Sequence, residues 1–231
     1  MTKNKGKLIV IEGTDGSGKG TQIKPLAEYL KKSGLKVEII DFPQYADNMW
    51  GQMVGQFLKG DFGDIDALPP QYAALPYMLD RLVAKPKIEK WLSEGKIVLS
   101  NRYMTSNLAF MGAKAKDKRD ETIEWLKQAE YETNKLPQPD LVVLLNVTPE
   151  LSHSNVAKKE ERDYMKGSEK VRDIFEDDVN FQTQVAGVYM HLAQTEKNWK
   201  IINCLNGKEM KPIPEITEEL INTLKEKKII K

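Results

Sequence analysis

The sequence predicts an α/β fold, a three-layer α/β/α sandwich on a five-stranded parallel sheet, in one domain covering residues 1–231. Three observations predict it. Five short β-rich runs alternate with amphipathic helical patterns, and right-handed βαβ crossovers are the simplest way to join them. The runs are almost continuously apolar, as strands covered on both faces are. No internal repeat, low-complexity tract or separating linker divides the chain.

The first strand is read over Lys7–Ile11. After it, Ile23, Leu26, Ala27 and Leu30 recur at i, i+3, i+4 and i+7, the apolar stripe of a helix that stops near Gly34. Pro25 interrupts this pattern and predicts a local bend, because it removes an intrahelical hydrogen bond. The remaining strands are read over Lys36–Phe42, Lys96–Ser100, Asp140–Val147 and Lys200–Cys204. Val185, Val188, Tyr189 and Leu192 repeat the helical spacing late in the chain, and Ile216, Leu220, Ile221 and Leu224 mark a last helix. Two stretches break the alternation. Pro43 to Pro70 is rich in Gly, Asp and Pro, while Val156 to Arg172 is dense in Lys, Glu and Arg, and both read as mobile insertions at one end of the sheet.

Composition narrows the function. Lys plus Arg (35) nearly cancel Asp plus Glu (34), so the net charge of +1 provides no general field for nucleic acid or an anionic membrane. A polyanion must be bound by a local site. The longest aliphatic run, Leu141 to Leu145, is far short of the roughly 18 residues of a membrane helix. The single cysteine, Cys204, cannot close an intramolecular disulfide, and Met1 to Lys7 leads into the first strand with no apolar signal region. The expectation is a cytoplasmic protein that binds neither nucleic acid nor membrane.

That local site follows the first strand. Gly13-Thr14-Asp15-Gly16-Ser17-Gly18-Lys19-Gly20-Thr21 sits between strand and amphipathic helix, the setting of a phosphate-binding P-loop. Glycines let successive backbone N–H groups converge on phosphate oxygens, the helix N-terminus adds partial positive charge, and Lys19 adds a full one. A nucleoside triphosphate is the natural guest, held by Gly13, Asp15, Gly16, Ser17, Gly18, Lys19, Gly20 and Thr21. The hydroxyl expected right after the lysine, a Mg²⁺ ligand in many P-loop proteins, is replaced by Gly20. Either Thr21 substitutes as the metal ligand or the metal keeps another water.

A guanine-nucleotide switch would need an Asn-Lys-x-Asp base reader. The chain offers only Asn134-Lys135-Leu136-Pro137, with proline in place of the carboxylate and a strand after it instead of before. A motor ATPase would want an aliphatic strand ending in a carboxylate, whereas the two best strands end in Ser100-Asn101 and Leu145-Asn146.

A small phosphotransferase remains, and Phe42-Pro43, Tyr77 to Arg81, Asn101 to Asn107 and Asp173 to Glu176, in that order, resemble motifs of the thymidylate kinase family. Phe42-Pro43 is similar to its Phe-Pro-x-Arg motif, and Tyr77 to Arg81 to its aromatic-x-x-x-Arg helix segment. Asn101 to Asn107 resembles its Asp-Arg-Tyr-x-x-Ser-Asn segment, and Asp173 to Glu176 its Asp-x-x-Glu after the lid. The order is preserved over nearly the whole chain. The resemblance implies transfer of the γ-phosphoryl group of ATP to dTMP with Mg²⁺, by a homodimer, with an acceptor-binding insertion over about 43–90 and a lid over about 150–172.

It also implies the acceptor-site residues. Tyr77 stacks on the pyrimidine, Arg81 grips base and phosphate, Asn107 reads the base, Arg102 binds the acceptor phosphate, and Asp15 reaches the sugar hydroxyl. Phe110 lines the sugar side, with Phe42, Ser106, Asp173 and Glu176 completing the pocket. Lys19, Arg102 and Arg162 are the catalytic candidates, Arg162 drawn from a lid pool with Lys158, Lys159 and Arg172. Three departures stand out: Tyr45 replaces the Arg of Phe-Pro-x-Arg, Asn101 replaces the Asp before Arg102, and Gly16 stands where some members place a P-loop Arg. The first two leave other nucleoside monophosphates open as acceptors.

Overall fold

The computed structural model describes residues 5–63, 68–157 and 178–231. Five strands, β1 (Lys7–Glu12), β2 (Val37–Asp41), β3 (Ile97–Asn101), β4 (Leu141–Asn146) and β5 (Trp199–Asn203), form a sheet of order β2-β3-β1-β4-β5. Every neighbouring pair is parallel. Each strand begins and ends within one residue of its sequence-predicted bounds. The chain fills one side of β1 with β2 and β3, then crosses to the other side for β4 and β5. The carboxyl end of β1 is therefore the topological switch point, where open α/β sheets bind ligands.

Successive side chains of a strand face opposite layers. Leu8 and Val10 of β1 pack with Val98, Val142 and Leu144 beneath α2 (Met49–Lys59), α3 (Pro70–Ser93), α4 (Met104–Lys114), α5 (Arg119–Lys127) and α7 (Val179–Thr195). Ile9 and Ile11 pack with Leu99, Val143 and Leu145 beneath α1 (Lys19–Lys32) and α8 (Ile213–Glu226). This gives the three expected layers. The stripes read from the sequence are the buried ones, with Ile221 only partly covered at the edge of α8.

Helix α1 carries a proline in its interior, and one expectation needs amendment. α1 runs through Pro25 as one helix, with Ile23 and Leu26 on either side both buried. Proline costs one hydrogen bond there, yet the sheet-facing stripe keeps its register. The stretch 43–70 carries helix α2 instead of a purely irregular insertion. Asn48 caps it by accepting from the backbone N–H of Trp50 and Gly51 at 2.9 and 3.0 Å, and Val54, Phe57 and Leu58 are buried. Gly51 reads as a breaker in the sequence but is required by packing: a Cβ there would lie 1.9 Å from the carbonyl oxygen of Gln44. A nine-residue helix α6 (Pro149–Ala157) opens the expected lid, whose residues 158–172 lie outside the described residues. No helix among the described residues is long and apolar enough to cross a membrane.

Candidate active site

The loop after β1 is glycine-rich because its path demands it. Gly13, Gly16 and Gly18 all have positive φ, and a Cβ on Gly13 would lie 2.5 Å from Ser17 Oγ and 2.8 Å from the carbonyl oxygen of Leu145. α1 then begins at Lys19 with no side-chain cap and no acidic residue in its first turn. Its first N–H groups and the positive end of its dipole are thus directed to an anion. The Lys19 ammonium curls back over the loop and donates to the carbonyls of Gly13 (2.9 Å) and Thr14 (2.8 Å). Thr21 is exposed on the first turn of α1.

Helix α6 closes one flank of this loop. Ser152 Oγ lies 3.0 Å from Thr14 Oγ1, and the Asn155 amide donates to the Gly16 carbonyl at 3.2 Å. A Cβ on Gly16 would come within 2.1 Å of the Ser152 carbonyl oxygen. The P-loop arginine that the sequence lacks has no room here.

Beside the loop opens a cavity with about 70 Å³ of internal free space behind an open mouth. Asp15, Phe42, Tyr77, Arg81, Arg102, Ser106, Asn107 and Phe110 all line it. These are all the described members of the acceptor set expected from the sequence; Asp173, Glu176, Arg162, Lys158, Lys159 and Arg172 lie outside the described residues. Pro43, Tyr45, Leu58, Tyr103 and Met111 complete the walls. Tyr77 meets Phe57 edge-on at 6.2 Å and offers a half-buried aromatic face. The segment that carries Phe42 and Tyr45 is tied down by Asp80 of α3, whose carboxylate accepts from Gln44 N (2.9 Å) and Asn48 Nδ2 (2.7 Å). Burial pushes the Asp80 carboxyl up from its ordinary range, against those two hydrogen bonds.

Arg81 is nearly inaccessible, at 2% exposure. It pairs with Glu130 through Nε (2.7 Å) and Nη2 (2.5 Å), and Asn107 Nδ2 donates to the same carboxylate at 3.3 Å. Burial works against the Arg81 charge, but the Glu130 carboxylate outweighs it and raises the guanidinium above its usual value. Glu130 sits in a π-helical turn, Gln128–Thr133, that continues α5. Asn107 lies inside α4, so it is not a helix cap.

Arg102 follows β3 with φ 63°, an unfavourable conformation for a side chain of its size. Its N–H donates to Ile11 O at 3.1 Å and its carbonyl accepts from Ser100 Oγ at 2.5 Å, which hold the strained turn. The guanidinium pairs with Asp15 of the P-loop and lies 5.4 Å above the Phe110 ring. Burial opposes its charge; Asp15, Tyr189 and Glu12 together raise its pKa well above the ordinary value. Below it, the fully buried Glu12 accepts from Tyr103 N, Thr105 Oγ1, Ser106 Oγ and Tyr189 Oη. Four donors saturate that carboxylate. Burial, reinforced by Glu12, keeps the Tyr189 phenol protonated and donating.

A family model described as thymidylate kinase matches residues 11–211. The chain belongs to the thymidylate kinase family. A thymidylate kinase of Mycobacterium tuberculosis is 30% identical over 187 residues, 80% of this chain and 85% of that protein. A probable thymidylate kinase of Pyrococcus abyssi is 30% identical over 223 residues, 96% of this chain and 97% of that one. The solved thymidylate kinase of Candida albicans superimposes with a TM-score of 0.74 at 23% identity, covering 97% of this chain and 93% of its own. At that identity the likeness speaks for the α/β fold.

The residues that sequence reasoning missed support others. Tyr189 was read as one member of an apolar stripe, and periodicity carries no sign of its hydroxyl on Glu12. Glu130 belongs to none of the matched motifs and stands in a charged, helix-forming stretch where only the tertiary fold brings it to Arg81.

Proposed function

We propose that this chain, a kinase of the thymidylate kinase family whose reaction is phosphorylation of dTMP, takes the phosphoryl group from ATP and performs the transfer between the P-loop and the adjoining cavity. The observation that carries this is one cavity with complementary ends. At the inner end, Arg81 offers guanidinium N–H groups not used by Glu130, and Asn107 offers its amide oxygen. A donor beside an acceptor matches the 4-oxo group and N3–H of thymine. Cytosine presents the reverse, an amino donor and an unprotonated N3. Tyr77 supplies the stacking face. At the outer end, Arg102 reaches the acceptor phosphate, Asp15 the sugar hydroxyl, and Phe110 crowds the sugar. Phe42 and Ser106 shape the walls.

In the transfer, an oxygen of the dTMP phosphate attacks the γ-phosphorus in line, the bond to the β-phosphate oxygen breaks, and ADP leaves. Such chemistry needs positioning and charge neutralisation rather than a protein nucleophile. Lys19, released from its loop carbonyls by the phosphates, and Arg102 supply the charge. Magnesium bound with ATP would neutralise part of the phosphate charge. Asn101 Oδ1 and Ser17 Oγ are buried without a hydrogen-bond partner among the described residues, and the Asn101 amide nitrogen is 3.8 Å from where a Cβ on Gly20 would lie. Oxygen donors at the foot of the phosphate loop fit a hard, oxygen-preferring cation or its bound water. They fit it better than exposed Thr21.

A homodimer is supported by the exposed apolar side chains Tyr72, Leu75 and Val83 along α3 and Met49 and Met53 on α2. The buried single cysteine, Cys204, suits a reducing cytoplasm. The test is product analysis with MgATP and dTMP: equal amounts of ADP and dTDP are expected, and ADP without dTDP would overturn the proposal.

A further inference from the structure

We infer that Glu130, presented by the π-helical turn Gln128–Thr133, is a positioning residue that sets which base the acceptor cavity reads. The inference rests on the acceptor reading above. Glu130 is fully buried, does not itself line the cavity, and hydrogen-bonds Arg81 and Asn107, which do.

An amide side chain can present either its oxygen or its nitrogen, and rotation by a half-turn exchanges them. A carboxylate paired with a guanidinium has only acceptors to offer. Asn107 must therefore turn its Nδ2 to Glu130, which leaves Oδ1 for the cavity as an acceptor. The same carboxylate takes Nε and Nη2 of Arg81, so the guanidinium plane is fixed and Nη1 is left as the inward donor. One carboxylate thus fixes the donor and the acceptor that together match thymine and oppose cytosine.

The π-helical turn supplies the placement. α5 ends at Lys127, and the wider turn that follows carries Glu130 inward between α3 and α4, while Ala129 O accepts from Asn134 N at 2.9 Å to close the segment. Such turns are uncommon and recur at functional sites.

Glu130→Gln tests this. A glutamine keeps the shape but adds a donor, so one Arg81 hydrogen bond is lost and Asn107 is free to present its nitrogen. The ratio of kcat/KM for dTMP to that for dCMP is expected to fall about tenfold or more, through KM for dTMP, with kcat and KM for ATP little changed. Glu130→Asp retains the carboxylate at shorter reach; it should raise KM for dTMP less and keep most of the selectivity. In an Asn107→Ala background, Glu130→Gln should alter the ratio much less than in the wild type. An unchanged ratio in Glu130→Gln would overturn the inference, as would a loss confined to kcat. If the glutamine variant does not fold, the aspartate variant decides: an unchanged KM for dTMP overturns the inference. Failure of the underlying acceptor reading looks different, because the wild type itself would then show no preference for dTMP over dCMP.

Discussion

The two halves of the active site are built by different means. The phosphate half comes from one contiguous stretch, residues 13–21, in which backbone amides, glycine conformations and a single lysine do most of the binding. The acceptor half gathers side chains from the segment after β2, from α3, from the turn after β3, from α4 and from a π-helical turn, and ties them with buried carboxylates. A phosphate tail is the same on every nucleotide, so one local device suffices. A base must be told from other bases, and that requires donors and acceptors fixed from several directions. Charge is supplied locally and selectivity is assembled globally.

Lys19→Ala probes the phosphate half alone and should have the largest effect. Losing a transition-state charge contact lowers kcat by about 10³-fold, while thermal stability and KM for dTMP stay close to wild type in steady-state and melting experiments. Arg81→Ala probes the acceptor half. It should raise KM for dTMP by an order of magnitude and leave KM for ATP unchanged, and denaturant titration should show a loss of about 3–5 kcal/mol because Glu130 is left buried and unpaired. A larger effect on ATP than on dTMP would erase the distinction between the halves.

The same contrast decides how much could be read from the sequence. The P-loop was legible because spacing, glycines and the following helix stripe all fall within one window. The five strands were legible from their apolar runs. Tyr77, Arg81, Arg102 and Asn107 were legible only through their resemblance to family motifs, since nothing local distinguishes Arg81 from a solvated arginine. Their supports were hidden: Asp80, Glu12 and Glu130 are ordinary acidic residues in the sequence, and each acquires its role by folding against partners 23 to 177 positions away. Helix α2 was hidden in part by Gly51, which packing requires.

Two smaller effects sharpen the comparison. Asn101→Asp puts a full negative charge where the amide oxygen has no hydrogen-bond partner among the described residues, so the Mg²⁺ concentration for half-maximal rate should fall a few-fold, with the order of preference among monophosphates unchanged. A half-saturation that stays level or rises would show that position 101 does not serve the metal. Tyr189→Phe removes one of the four donors to Glu12. The remaining three hold the carboxylate in place, so the cost is about 1 kcal/mol in stability with kcat changed by less than that of any other variant here.

The central claim, that the acceptor half selects the base through a fixed donor and acceptor, is tested most directly by ranking wild-type kcat/KM for dTMP, dUMP, dCMP, dAMP and dGMP at saturating MgATP. The account predicts dTMP first, dUMP next because it presents the same N3–H and 4-oxo edge, and dCMP lower by about 100-fold or more. A dCMP or purine monophosphate value equal to or above that of dTMP would contradict it.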